Sequence, residues 1–290
     1  MSWLSKISIA TPIHGKIVLV LKKYDEANQL LDHDGSHARH WSKVTFGTKK
    51  EMKMKRFAMT LAILALVSNV FAGDRSNLIS NLKAGKQQTL VVYGTSLTAG
   101  GAWVGQLQKA LNEQYPGQAT LINSGKGSMW SKWGADNLDT HVIQKKSDTV
   151  LIEFAINDAY LDYKTSVAEA RSNLTNMIDR ILASKPETEI ILMTMNPPIG
   201  VHLERRPRIK DYYQMYRDVA KERNLLLIDH YANWEPIMEK DRALFAKYVP
   251  DGIHPGPEGC TRVITPAILK GLGIKAEPPA GGDGKPAPQP

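Results

Sequence analysis

The stretch Thr89-Leu90-Val91-Val92-Tyr93-Gly94-Thr95-Ser96-Leu97-Thr98 runs from unbroken apolar character into a glycine and three small hydroxyl residues. A continuous β-branched and leucine-rich run is what a strand covered on both faces requires, and the glycine marks where it turns away. Residues 119–122, 149–154, 189–195 and 224–228 repeat the pattern and predict four more strands. Helical stretches fall between them. Residues 102–114 place Trp103, Leu107 and Leu111 four apart, and residues 166–184 carry Val167, Leu174, Met177, Ile178, Ile181 and Leu182 before Pro186. Residues 208–223 predict a third helix, and residues 257–272 a fourth that opens on proline and stops near Gly271 and Gly273. Strands alternating with helices predict a three-layer α/β/α sandwich around a five-stranded parallel sheet with right-handed crossovers. Such sheets bind ligands at the carboxyl ends of their strands, where Ser96, Asn157 and the Asn196-Pro197-Pro198 loop fall.

Two further stretches give that location a chemistry. Ala155-Ile156-Asn157-Asp158 follows the third predicted strand, and Asp251-Gly252-Ile253-His254 places an acid three residues before a histidine. A serine nucleophile, an amide donor and an acid-oriented base are the parts that acyl transfer through a covalent intermediate needs. Ser96 is not in a G-x-S-x-G elbow, because position 98 is Thr98, and no Gly-Lys-Ser/Thr follows Gly94 to make a phosphate loop.

The order of these blocks resembles the SGNH (GDSL-type) hydrolase superfamily. Tyr93-Gly94-Thr95-Ser96-Leu97-Thr98 is similar to its first block, with Thr95 where aspartate is commoner. Asn123-Ser124-Gly125-Lys126-Gly127-Ser128 resembles the second, Ala155-Ile156-Asn157-Asp158 the third, and Asp251-x-x-His254-Pro255 the fifth. The resemblance runs from about residue 89 to residue 272 and implies a flavodoxin-like SGNH fold. It implies Ser96 as nucleophile, His254 as general base and acid, and Asp251 as the orienting acid. The N–H of Ser96, the N–H of Ser128 and Asn157 Nδ2 would form the oxyanion hole, with Gly127 and Gly125 as neighbouring backbone donors.

Composition sets the surroundings. The net charge of +8 is uneven: residues 1–72 hold eleven Lys/Arg against five Asp/Glu, so nucleic-acid binding is not expected of the remainder. Met54-Lys55-Arg56, the apolar run to Phe71 and the small residues before Gly73 read as a secretory signal over 54–72. That predicts a periplasmic or extracellular protein with no stable membrane association. Residues 1–53 then precede the signal and read as a mis-called upstream extension. The hydrolase domain is expected over 73–275, with a disordered Pro/Gly-rich tail over 276–290. Cys260 is the lone cysteine and reads as a packed side chain. No His, Cys and carboxylate cluster has metal-ligand spacing, so neither metal nor cofactor is expected.

Trp130 and Trp133 flank the second block and suit a sugar ring or the core. His202, Arg205 and Arg206, in the loop after the fourth strand, suit an anionic group, although a solvated charge cluster is the preferred reading of the three. Asp229-His230 reads as structural, Asp158 as a hydrogen-bonding support of the site, and His141 as a surface residue. The expected substrate is a small-molecule or polysaccharide acyl ester, most simply an O-acetylated carbohydrate. A thioesterase, lysophospholipase or arylesterase on the same scaffold is the alternative, and a non-catalytic carbohydrate-binding module stands in a different class.

Overall fold

The structure is a computed structural model and describes residues 76–274, together with two short upstream strands, Ile7–Ile9 (β1) and Leu19–Leu21 (β2). The chain divides into two units, Met1–Leu64 and Ala65–Pro290. In the first, β1 and β2 pair antiparallel with Ile7 opposite Leu21, a pairing that the sequence reading lacked. The rest of the upstream extension, the signal over 54–72 and the tail over 276–290 lie outside the described residues.

In the second unit the opening stretch forms Gln88–Gly94 (β3), followed by Ala119–Asn123 (β4), Thr149–Glu153 (β5), Glu189–Thr194 (β6) and Leu226–Asp229 (β7). All pair parallel, in the order β4-β3-β5-β6-β7. This is the flavodoxin-like order, and its switch point lies between β3 and β5, where the connections leave for opposite edges of the sheet. The β5 strand is buried at every position, as a central strand covered on both faces must be.

Asn77–Lys83 (α1) precedes the sheet, and Ala102–Gln114 (α2), Val167–Ser184 (α3) and Ile209–Glu222 (α4) take the predicted helical stretches. The start of α3 is fixed by a capping box: the Ser166 hydroxyl accepts from the Glu169 N–H, and the Glu169 carboxylate accepts from the Ser166 N–H. Besides α1, the sequence reading lacked His230–Lys240 (α5) and Arg242–Tyr248 (α6). Pro236 inside α5 hides the first from a reading of periodicity. The last helix runs from Pro257 to Leu272, as predicted, but widens to a π-helical turn over Cys260–Ile264. The core continues from the sheet through Trp103, Tyr213, Tyr216 and Trp234, all fully buried.

Candidate active site

Gly94 ends β3 with its Cα against β5. A Cβ there would lie 2.2 Å from Glu153 Oε1, so glycine alone lets the strand end meet this carboxyl. Glu153, fully buried at the end of β5, accepts from the Thr95 N–H at 2.7 Å, the Thr95 hydroxyl at 3.0 Å and the Thr98 hydroxyl at 2.6 Å. Burial pushes its carboxyl up to about 7, against the pull of those donors. Glu153 thus pins the single helical turn Ser96–Ala99 from below and sets Ser96 at its head.

Ser96 Oγ lies 2.8 Å from His254 Nε2, and His254 Nδ1 lies 2.6 Å from Asp251 Oδ2. The acid and the imidazole belong to one tight loop. Asp251 Oδ1 also accepts from the N–H groups of Ile253 (3.0 Å) and His254 (2.7 Å). Burial alone would raise the Asp251 carboxyl; these backbone donors and the imidazole hold it below its usual range. The loop is tied to the sheet by Asn196, whose Nδ2 donates to the Ile253 carbonyl at 3.0 Å, and by the Ile199 N–H donating to the Gly252 carbonyl at 2.9 Å. His254 and Asp251 remain 46% and 51% exposed, so the pair stands at an open mouth.

Behind that mouth a cavity of about 530 Å³ is bounded by Ser96, His254 and Gly127 and by an apolar wall that includes Leu97, Trp103, Cys260 and Ile264. In the second block the N–H groups of Ser124, Gly125 and Lys126 are already engaged with Val92 O, Asn123 Oδ1 and Gly94 O. The next N–H groups, those of Gly127 and Ser128, have no acceptor among the described residues. Gly127, rather than Ser128, lines the cavity, and Ser128 takes a left-handed conformation at φ +60°. Asn157, 5% exposed, donates from Nδ2 to the Met129 carbonyl at 2.8 Å and accepts at Oδ1 from Arg206 at 3.2 Å.

The other sequence candidates divide. His202 packs 3.5 Å from where a Cβ on Gly252 would stand, beside the acid-base loop, and burial with the nearby Arg206 charge lowers its pKa. Trp130 is half-buried and stacks on Tyr163 at 4.4 Å, while Tyr163 donates to the Ser128 carbonyl at 2.5 Å. Arg205 is exposed and donates to the Tyr160 hydroxyl at 3.1 Å.

Three expectations need correction. Trp133 does not reach the cavity: its indole packs against Tyr93 and His141 at 6.0 and 4.9 Å, because its turn faces the core. His141 is half-buried rather than fully at the surface: it also stacks on Tyr93 at 5.9 Å, and burial lowers its pKa. Arg206 is not part of a solvated cluster but is buried beneath the Asn157 turn.

Asp158 does support a loop, accepting from the Ser131 N–H at 2.9 Å. Asp229 binds Arg217 and Thr194, and His230 lies fully buried beside it with no partner among the described residues on either ring nitrogen. Cys260 is buried, its thiol 3.6 Å from the Pro255 carbonyl, and burial raises its pKa.

The profile of the GDSL-like lipase/acylhydrolase family matches residues 92–262. No curated protein matches the chain. Solved structures with the same fold include an acetylxylan esterase from Geobacillus stearothermophilus, 21% identical, covering 66% of this chain and 96% of that one at a TM-score of 0.57. Structures of that esterase include catalytic mutants at a serine, an aspartate and a histidine. An α/β hydrolase enzyme from the metagenome of Lake Arreo, Spain, is 23% identical, with 65% and 96% coverage and a TM-score of 0.57.

Proposed function

The chain belongs to the GDSL-like lipase/acylhydrolase family and is an ester hydrolase of the SGNH type, and from that premise we propose that Ser96, His254 and Asp251 are its catalytic triad and that short acyl groups on carbohydrate are its substrate. The observation that carries this reading is the hydrogen-bonded chain from Ser96 Oγ through His254 to Asp251 at the edge of the cavity.

His254 Nε2 takes the Ser96 proton as Oγ attacks the acyl carbonyl, and returns it to the leaving alcohol. Asp251 holds the imidazole in the tautomer that accepts at Nε2 and offsets the positive charge it gains. The Ser96 N–H, the N–H of Gly127 or Ser128, and Asn157 Nδ2 receive the developing negative charge on the acyl oxygen. Water then attacks the acyl-enzyme by the same route in reverse.

The half-exposed acid-base pair favours a bulky polar alcohol, which can remain in solvent while only its acyl group enters the cavity. The half-buried Trp130–Tyr163 stack and the exposed Arg205 near it offer such an alcohol an aromatic face and a cation. The kinship in fold with an acetylxylan esterase agrees with this choice. The reading includes export by the signal over 54–72, so the secreted protein should begin at Gly73.

Ser96→Ala should abolish acetate release from acetylated polysaccharides and leave the thermal unfolding temperature unchanged. Turnover by that variant at the wild-type rate would end the assignment. Chain-length profiling with p-nitrophenyl esters should favour acetate; a preference for long acyl chains would instead favour a lysophospholipase or thioesterase.

A further inference from the structure

Arg206 is the one Lys or Arg side chain that the fold buries among the described residues, at 7% exposure. No carboxylate of the described residues lies within ion-pair distance of it. Its donors go to neutral acceptors only: Nε to the Ile156 carbonyl at 2.8 Å, Nη1 to the His202 carbonyl at 3.3 Å and Nη2 to Asn157 Oδ1 at 3.2 Å. The guanidinium carbon lies 4.8 Å from the Tyr160 ring centroid. Elsewhere in the domain half-buried cations are matched, as Arg217 is with Asp229 and Lys185 with Asp148. A desolvated cation without an anion is costly, and a fold that keeps one needs a use for it.

The use lies in the next side chain. An asparagine can present either its oxygen or its nitrogen, and a wrong flip would turn a carbonyl dipole on an incoming oxyanion. Arg206 can only donate, so Asn157 Oδ1 must face it and Nδ2 must face the other way. One Nδ2 hydrogen is held by the Met129 carbonyl, and the second is left for the acyl oxygen. A charged donor on Oδ1 also polarises the amide and makes that remaining N–H a stronger donor.

We infer that Arg206 is a positioning residue for ester hydrolysis, fixing and polarising the Asn157 amide, and that its missing counter-charge is the oxyanion formed only in the tetrahedral intermediate. This rests on the reading above that Asn157 serves the oxyanion hole. The charge is then unbalanced in the ground state and balanced in the transition state, which is the condition for an interaction to raise kcat rather than tighten substrate binding.

The test compares Arg206→Met and Arg206→Lys with Asn157→Ala and the double variant Arg206→Met/Asn157→Ala. A short alkyl boronic acid, which forms an anionic tetrahedral adduct with a serine nucleophile, serves as the probe. Arg206→Met should lower kcat about 10²-fold with KM little changed, and weaken boronate inhibition by a similar factor. Arg206→Lys, which keeps the charge without the fork, should fall between it and wild type. The double variant should be no slower than Asn157→Ala alone, since the arginine acts through the amide.

A kcat within about threefold of wild type would overturn the inference, as would undiminished boronate affinity or fully additive losses. If Arg206→Met does not fold, Arg206→Lys carries the same three readouts. Activity persisting in Ser96→Ala would refute the catalytic reading itself. A dead Ser96→Ala with unimpaired Arg206 variants would refute only this inference.

Discussion

Replacing Glu153 with glutamine tests how the nucleophile turn is held. In the resting geometry Oε1 takes three of the contacts, from the Thr95 N–H, the Thr95 hydroxyl and the Thr98 hydroxyl, while Oε2 meets only the Thr95 hydroxyl at 3.1 Å. A protonated carboxyl with its hydrogen on Oε2 fits that pattern, and glutamine copies it with Nε2 in the same place. The carboxyl rises from 4.5 to about 7 on folding. An acid whose folded value is raised contributes stability that is fully present below its unfolded value and is lost as pH rises through its folded one. Each pH unit over which folded and unfolded chains differ by a proton is worth about 1.4 kcal/mol, so wild type should lose about 3 kcal/mol from Glu153 between pH 4.5 and pH 7. The glutamine variant loses none of this. Urea unfolding followed by tryptophan fluorescence at pH 4.5, 6 and 8 should find the two proteins similar at the acid end and the variant ahead by about 3 kcal/mol at pH 8. A difference that does not change with pH would refute the buried-acid account of this turn.

Other variants probe other parts of the same frame. Asp251→Asn should cut kcat on p-nitrophenyl acetate by up to about 10⁴ by leaving the imidazole in the wrong tautomer, and its exposed site should leave the circular-dichroism melting curve unchanged. His230→Phe removes a buried imidazole whose pKa falls to about 4. A base lowered on folding loses its contribution as pH drops, so the acid-side loss of stability between about pH 6.5 and 4 should shrink in the variant, measured by thermal melts across that range. Ser166→Ala breaks the capping box of α3 and should cost about 1 kcal/mol, read as a drop of about 2–4 °C in Tm.

The sheet was legible because each strand is a near-continuous apolar run and its neighbours are helices with clear four-residue spacing. Ser96, Asn157, Asp251 and His254 were legible because each sits just beyond such a run or within a four-residue loop, where local spacing already fixes geometry. What stayed hidden depends on contacts between distant residues. The hold of Glu153 on Thr95 spans 58 residues of chain; in sequence it is one acid at the end of a strand. Arg206 follows Arg205 in a polar loop, and nothing local separates the exposed arginine from the buried one. His141 looks like a surface residue of a short polar helix, and Trp133 suits a sugar ring as well as the core, until Tyr93 is found beside them.

The π-helical turn at Cys260–Ile264 has a consequence for how this domain tolerates indels. An α-helix advances about 100° per residue, so a turn that absorbs one extra residue lets its two halves keep independent orientations. Upstream, Cys260 and Ile264 stay on the cavity wall; downstream, Ile268 and Leu272 stay against the core. Deleting a single residue here would regularise the spiral and rotate one half out of phase with its partner surface. The volume next to Ser96 is therefore adjustable by a one-codon change far along the chain from the nucleophile.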